Sequence, residues 1–246
     1  MSEQASDGGL AAYWRFFEFF NTRDSEKFTD ALQFPHLRVS ARGPAPRIIP
    51  KPEDHAEGMN YERILATGWD HTVGAEPEVL HVSADKVHIK GGWTRYNGDD
   101  QPILTNFVTY ITTRVADRWR IQSRFGVDPG PDGETPATAS TAVAVVEGAL
   151  NAMASGDQGG AREFFNYPHF NIDPGEVQTF ATAAELETNL PQGGVEPGEV
   201  RALQSGPNSV SVTFDGKLNG RDMHGVLLVT ERDGHWGIES RSIIVD

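Results

Sequence analysis

His36, Arg38 and Tyr110 are the residues whose types and spacing could carry chemistry. An imidazole titrates near pH 6.5, so His36 is a candidate acid or base for moving a proton. Arg38 shares its strand face with His36 and Ser40, and a guanidinium there can receive a carboxylate or an enolate oxygen. Tyr110 is a second candidate for stabilising a developing oxyanion. A second set reads as the wall of a small-molecule cavity, mostly aromatic with a few polar tips: Tyr13, Phe17, Trp69, Trp93, Tyr96 and Asn106. Each has a plainer reading. His36 recurs as His169 in a matching stretch while Arg38 becomes Asn171, which favours a histidine that anchors a helix-to-strand junction by bonding backbone. The aromatic residues can simply fill a core. Trp69-Asp70-His71 puts an acid beside a base, but adjacent loop residues seldom aim at one target, and Trp69 reads as a lid or core plug.

Other chemistries are disfavoured. There is no cysteine, so thiolate catalysis and Cys-ligated metals are excluded. His81 and His88 fall on separate strands, as do His224 and His235, and no His-Glu-x-x-His run occurs, so no metal is expected. No nucleophile elbow, phosphate loop or dinucleotide fingerprint is present, and no cofactor is expected.

The elements that must position these residues come in two sets. Phe34-Pro35-His36-Leu37-Arg38-Val39 matches Tyr167-Pro168-His169-Phe170-Asn171-Ile172, and Trp119-Arg120-Ile121-Gln122-Ser123-Arg124 matches Trp236-Gly237-Ile238-Glu239-Ser240-Arg241. The two matches keep their order, which is the mark of a tandem duplication. Copy one is expected over 1–128, a linker rich in proline and glycine over 129–137, and a shortened copy two over 138–246. In copy one, helices are expected over Leu10–Asn21, Glu26–Leu32 and Pro52–Ala66, the first apolar nearly all round and so largely buried. Strands follow over 79–82, 86–96, 103–114 and 118–125, with Asn97-Gly98-Asp99 as a hairpin signal. In the last strand Trp119, Ile121, Ser123 and Phe125 alternate with Arg120, Gln122 and Arg124. Copy two repeats the order, with helices over 141–154, 160–165 and 183–190 and strands over 200–204, 209–218, 223–230 and 235–245. Helices set against one face of an antiparallel sheet give an α+β fold.

This element order, together with the Phe34-Pro35-His36-Leu37-Arg38 strand entry, the Asn97-Gly98-Asp99 hairpin and the closing Trp119-to-Arg124 strand, resembles the nuclear transport factor 2-like superfamily, with its cystatin-like fold. The resemblance covers most of both copies. It implies two cone-shaped domains in tandem, each a curved sheet wrapped around a helix to leave a conical pocket. It also implies ketosteroid isomerase and polyketide cyclase relatives, and an intramolecular pseudo-dimer open to further self-assembly. In ketosteroid isomerases a general-base Asp sits on the early strand. Copy one has Ser40 or Ala41 near that place, and Asp173 in copy two precedes Pro174-Gly175, as a turn carboxylate would.

Three functions follow as expectations: a protein binding a small apolar or aromatic molecule in copy one; a cofactor-free isomerase, cyclase or dehydratase in which His36 moves the proton; and a structural accessory subunit. Copy one is the expected pocket bearer, because residues 1–128 hold 16 of the 23 Phe, Trp and Tyr. The net charge of −14 leaves no basic face for nucleic acid. No apolar run is long enough to span a bilayer, and the polar N-terminus lacks a secretory pattern, so a cytoplasmic protein is expected.

Overall fold

The computed structural model describes residues 2–40, 46–130, 133–191 and 193–246. Ala41 and positions 131 and 132 of the expected linker lie outside the described residues. The chain divides into two compact units, Met1–Gly126 with Pro174–Val177, and Val127–Asp173 with Gln178–Asp246. Among the described residues, no helix is long and apolar enough to cross a membrane.

The first unit begins with a long helix, α1 (Ser2–Asn21), then α2 (Ser25–Asp30), whose Asp24 cap accepts from the backbone N–H of Glu26 and Lys27. Strand β1 (Leu32–Ser40) and the short β2 (Arg47–Ile49) follow, then α3 (Pro52–Gly58), α4 (Tyr61–Leu65) and β3 (His71–Gly74). The unit closes with β4 (Glu78–Val82), β5 (Lys86–Tyr96), β6 (Pro102–Val115) and β7 (Arg118–Val127). The sheet has seven strands in the order β2-β1-β7-β6-β5-β3, with β4 also paired to β5. It is mixed rather than purely antiparallel, because β1 runs parallel to β7.

The expected all-round burial of α1 is corrected to a stripe. Tyr13, Phe16, Phe17 and Phe20 are buried at the spacing of one helix face, while Trp14 remains 43% exposed on the other. Close approach of this stripe to the sheet depends on Gly91, where a Cβ would meet the Tyr13 hydroxyl oxygen at 2.7 Å. The single helix expected over 52–66 is broken. Met59 is extended, and the Asn60 side chain caps α4 by accepting from the Arg63 N–H at 2.8 Å. An Asn that bonds local backbone competes with helix continuation, which the apolar spacing alone did not reveal. The helix expected over Glu26–Leu32 ends at Asp30, because Leu32 already begins β1, inside which Pro35 lies.

The second unit repeats the plan. Helix α5 (Pro136–Ala154) starts inside the segment expected to be linker, with proline tolerated in its first turn. After α6 (Gln158–Ala161) and a 3-10 turn come β8 (Phe165–Asp173), β9 (Glu176–Phe180) and α7 (Ala183–Glu187). Strands β10 (Val195–Ser205), β11 (Ser209–Leu218), β12 (Arg221–Arg232) and β13 (His235–Val245) complete a six-stranded sheet, in the order β10-β11-β12-β13-β8-β9. Here β13 runs parallel to β8, as β7 does to β1. The matching bonds Phe34–Pro35 and Tyr167–Pro168 are both cis. Each unit is an α+β domain with its own core beneath its own long helix.

Candidate functional site

A cavity of about 110 Å³ opens in the first unit between α1 and the concave side of the sheet. Phe16, Phe17 and Phe20 form one wall, Trp93 and Arg95 of β5 another, and Arg38 of β1 and Arg124 of β7 a third. The break between α3 and α4 brings Met59 and Ile64 to its edge, with His55 of α3.

Register explains the arginines. Arg38 and Arg124 are direct partners across the parallel β1–β7 pair, and residues paired in this way point to one face. Arg95 stands two residues from Trp93 and so shares its face. The expected alternation along β7 is corrected between Ile121 and Arg124. Ile121 packs in the core under α1, yet Arg124, three residues on, also reaches that side, with its guanidinium 5.0 Å from the Phe16 ring centre. Between them Gln122 turns away, accepting from the Thr113 hydroxyl at 2.9 Å and donating to the Pro35 carbonyl at 2.5 Å. Strict period-two reading therefore puts Arg124 on the wrong face.

No Asp or Glu lines this cavity among the described residues. Arg95 stacks 5.0 Å from Trp93, and the Nε atoms of Arg95 and Arg124 are enclosed without a hydrogen-bond partner. A guanidinium lying over a ring keeps its in-plane N–H groups available at the edge. Burial, and then the neighbouring Arg38 charge, lower the Arg124 pKa to about 9. Arg95 is lowered for the same reasons. Three arginines thus meet at a cavity whose described lining holds no acid.

His55 is the imidazole on this wall. Thr29 Oγ1 donates its only proton to the Ser25 carbonyl at 2.7 Å, so His55 Nδ1–H donates to Thr29 Oγ1, also at 2.7 Å, and Nε2 is left as an acceptor. Burial, and then the Arg124 charge, lower its pKa to about 4. His36 and His169 are held well below the usual histidine range, chiefly by burial. Folding therefore takes up these bases neutral, while the unfolded chain protonates them near pH 6.5, so stability is full above that pH and falls as pH drops towards 4. With allowance for solvent screening, His55 alone should cost roughly 2 kcal/mol over that window. Urea midpoints at about pH 7 and about pH 4.5 measure the loss, and His55→Asn should reduce its slope.

Of the sequence candidates, Arg38, Phe17 and Trp93 line the cavity. The others are placed elsewhere. His36 is fully buried outside the lining, and its Nδ1 bonds the Ile121 carbonyl at 3.2 Å. His169 makes the same bond to Ile238, at 3.0 Å. Tyr110 is fully buried in edge-to-face contact with Tyr13, its hydroxyl unpartnered and its pKa raised well above 10 by burial. Tyr13 is core, and its hydroxyl donates to the Ala75 carbonyl at 2.6 Å. Trp69 is 2% exposed and plugs the core against Phe20 and Tyr61, with Nε1 donating to Thr72 Oγ1. Asn106 is buried on β6, and Tyr96 stacks on His71, which meets the exposed Asp70 at 3.1 Å. His81 and His88 pair across β4 and β5 with Nδ1 atoms 3.0 Å apart. Sequence reasoning missed His55, Arg95 and Arg124. The face shared with Trp93 was the available signal for Arg95.

Asp173 ends β8, where Asn171 Nδ2 donates to it at 2.7 Å. The second unit also holds a cavity, of about 130 Å³.

A mixed sheet packed against one long helix, with a cavity between them, is the arrangement of an NTF2-like domain. Residues 11–128 match a family model described as NTF2-like protein (DUF6841). The first unit belongs to this NTF2-like superfamily, and the second repeats its fold. No curated protein matches the sequence. Solved structures similar to it include a protein of unknown function with a cystatin-like fold from Nostoc punctiforme, at 15% identity, 48% of this chain, 86% of that one and a TM-score of 0.40. A ketosteroid isomerase-like protein from Erwinia carotovora atroseptica matches at 17% identity over 53% of this chain and 100% of its own, with a TM-score of 0.41. A hexachlorocyclohexane dehydrochlorinase matches at 17% over 52% and 87%, with a TM-score of 0.40.

Proposed function

We propose that the first unit binds a small carboxylate with an aromatic or apolar body. The observation that carries this reading is the convergence of Arg38, Arg95 and Arg124 on an aromatic-walled cavity whose described lining contains no acid. An enclosed guanidinium N–H without an acceptor, as at Nε of Arg95 and of Arg124, is costly, and a ligand carboxylate relieves that cost by accepting from the guanidinium edges. Phe16, Phe17, Phe20 and Trp93 supply the apolar contact. Binding without turnover is favoured over the isomerase-type alternative. His36 is committed to backbone, and His55, with a pKa of about 4, is a weak base.

Benzoate and its neutral counterpart benzamide test the reading by thermal unfolding. A ligand at a hundredfold its dissociation constant adds about 2.7 kcal/mol. Benzoate is expected to raise the unfolding temperature of the chain and benzamide to leave it in place. Equal shifts, or none with benzoate, would overturn the proposal. A shift with inorganic phosphate alone would replace the carboxylate with a phosphate ligand.

A further inference from the structure

The second unit's cavity differs in chemistry from the first. Val146, Leu150 and Leu227 with Phe165 and Phe214 make its walls apolar and mostly aliphatic, and Arg241 is the one charged side chain on them among the described residues. Arg241 is 8% exposed, and its Nε has no hydrogen-bond partner. It stands where the first unit has Arg124, reached through the same departure from alternation: Ile238 pairs with Val229 and Ser240 with Leu228, leaving Glu239 as the extra residue.

The other two arginines are gone. Arg38 becomes Asn171, the direct partner of Arg241 across the β8–β13 pair. Ile89 pairs with Tyr110 as Val212 pairs with Leu227, and six residues on from each, Arg95 of β5 corresponds to Leu218 of β11, which lines the cavity. A carboxylate has been added as well. Asp173, at the position of Ser40, is held by Asn171 beside Arg241. Burial lowers the Arg241 pKa to about 10, and Asp173 opposes that shift. A cation with a resident counter-charge gains little from an anionic ligand, but its unpartnered N–H still requires an acceptor. The volume of about 130 Å³ approaches the roughly 150 Å³ cavity that holds benzene.

We propose that the second unit has its own site for a small neutral molecule, an apolar body about the size of a six-membered ring bearing one hydrogen-bond acceptor, such as a carbonyl oxygen, that Arg241 receives. The site stands independently of the carboxylate reading of the first unit.

Methionines report on the two cavities separately. Met59 lines the first, and Met153 and Met223 line the second. In the full chain labelled with methyl-13C methionine, cyclohexanone should shift Met153 and Met223 saturably and leave Met59 in place. Cyclohexanecarboxylate should bind at Met153 and Met223 at least tenfold more weakly than the ketone. Arg241→Leu should weaken cyclohexanone binding at least tenfold, the loss of a hydrogen bond to a charged group. Ala149→Leu, which fills the cavity and spares Arg241, should abolish binding and decides the matter if Arg241→Leu does not fold. Unmoved Met153 and Met223 resonances, equal affinity for the carboxylate, or undiminished ketone binding in the variants would each overturn the proposal. Benzoate shifts at Met59 report on the first unit alone, so the two readings fail separately.

Discussion

Replacing Arg124 with Met is expected to stabilise the first unit by about 2–4 kcal/mol and to weaken its affinity for benzoate about a hundredfold. Met keeps most of the volume and contact over Phe16 while removing a charge that faces Arg38 and Arg95, with no acid in the described lining. Hydrophobic replacement of buried ionic groups is often neutral or stabilising even where the charges are paired, and the Arg124 Nε has no hydrogen-bond partner. The opposite signs make the test sharp. A residue retained for packing would lose stability and leave binding alone, whereas one retained for a ligand should do the reverse. Urea midpoints and calorimetric titration with benzoate give the two readings. A destabilised variant with undiminished binding would remove Arg124 from the site.

Tyr13→Ala is expected to cost about 3–5 kcal/mol, among the larger effects in the chain. The ring is fully buried, touches Phe17 and Tyr110 edge-to-face, and sits under Gly91. Tyr13→Phe removes only the hydroxyl that donates to Ala75 and should cost about 1 kcal/mol. Because Tyr13 is core rather than cavity wall, Tyr13→Phe should leave benzoate affinity unchanged. Urea denaturation of both variants measures the costs, and a large loss of affinity in Tyr13→Phe would return Tyr13 to the wall.

The doubling of the fold was legible because short matched stretches sit at functional joints of the strand order. Phe34-Pro35-His36 and Tyr167-Pro168-His169 enter the strand that pairs parallel with the last one, and the Trp119 and Trp236 stretches are those last strands. The long hairpins were legible from alternation and the Asn97-Gly98 turn, and β5, β11 and β13 have the expected bounds. Strands of three or four residues, β2 and β3, carry too little pattern to be seen. The site was harder. Alternation placed Arg124 outside because a single extra residue reverses the facing of everything after it, and periodicity carries no mark of that insertion. His55 was hidden by the broken helix, and the second cavity by its mostly aliphatic walls, to which only Phe165 and Phe214 bring aromatic rings, so an aromatic count passes over it.

The exchange of Arg38 and Ser40 for Asn171 and Asp173 has an evolutionary consequence. In a dimer of identical chains, any change that retunes one cavity retunes its twin. Fusing two copies in one gene lifts that constraint, so one half can exchange a cation for an acid while the other drifts towards a fully cationic interior. A lineage that carries both halves can thus acquire two selectivities from a single ancestral cone, each reachable by a few substitutions on the same strand.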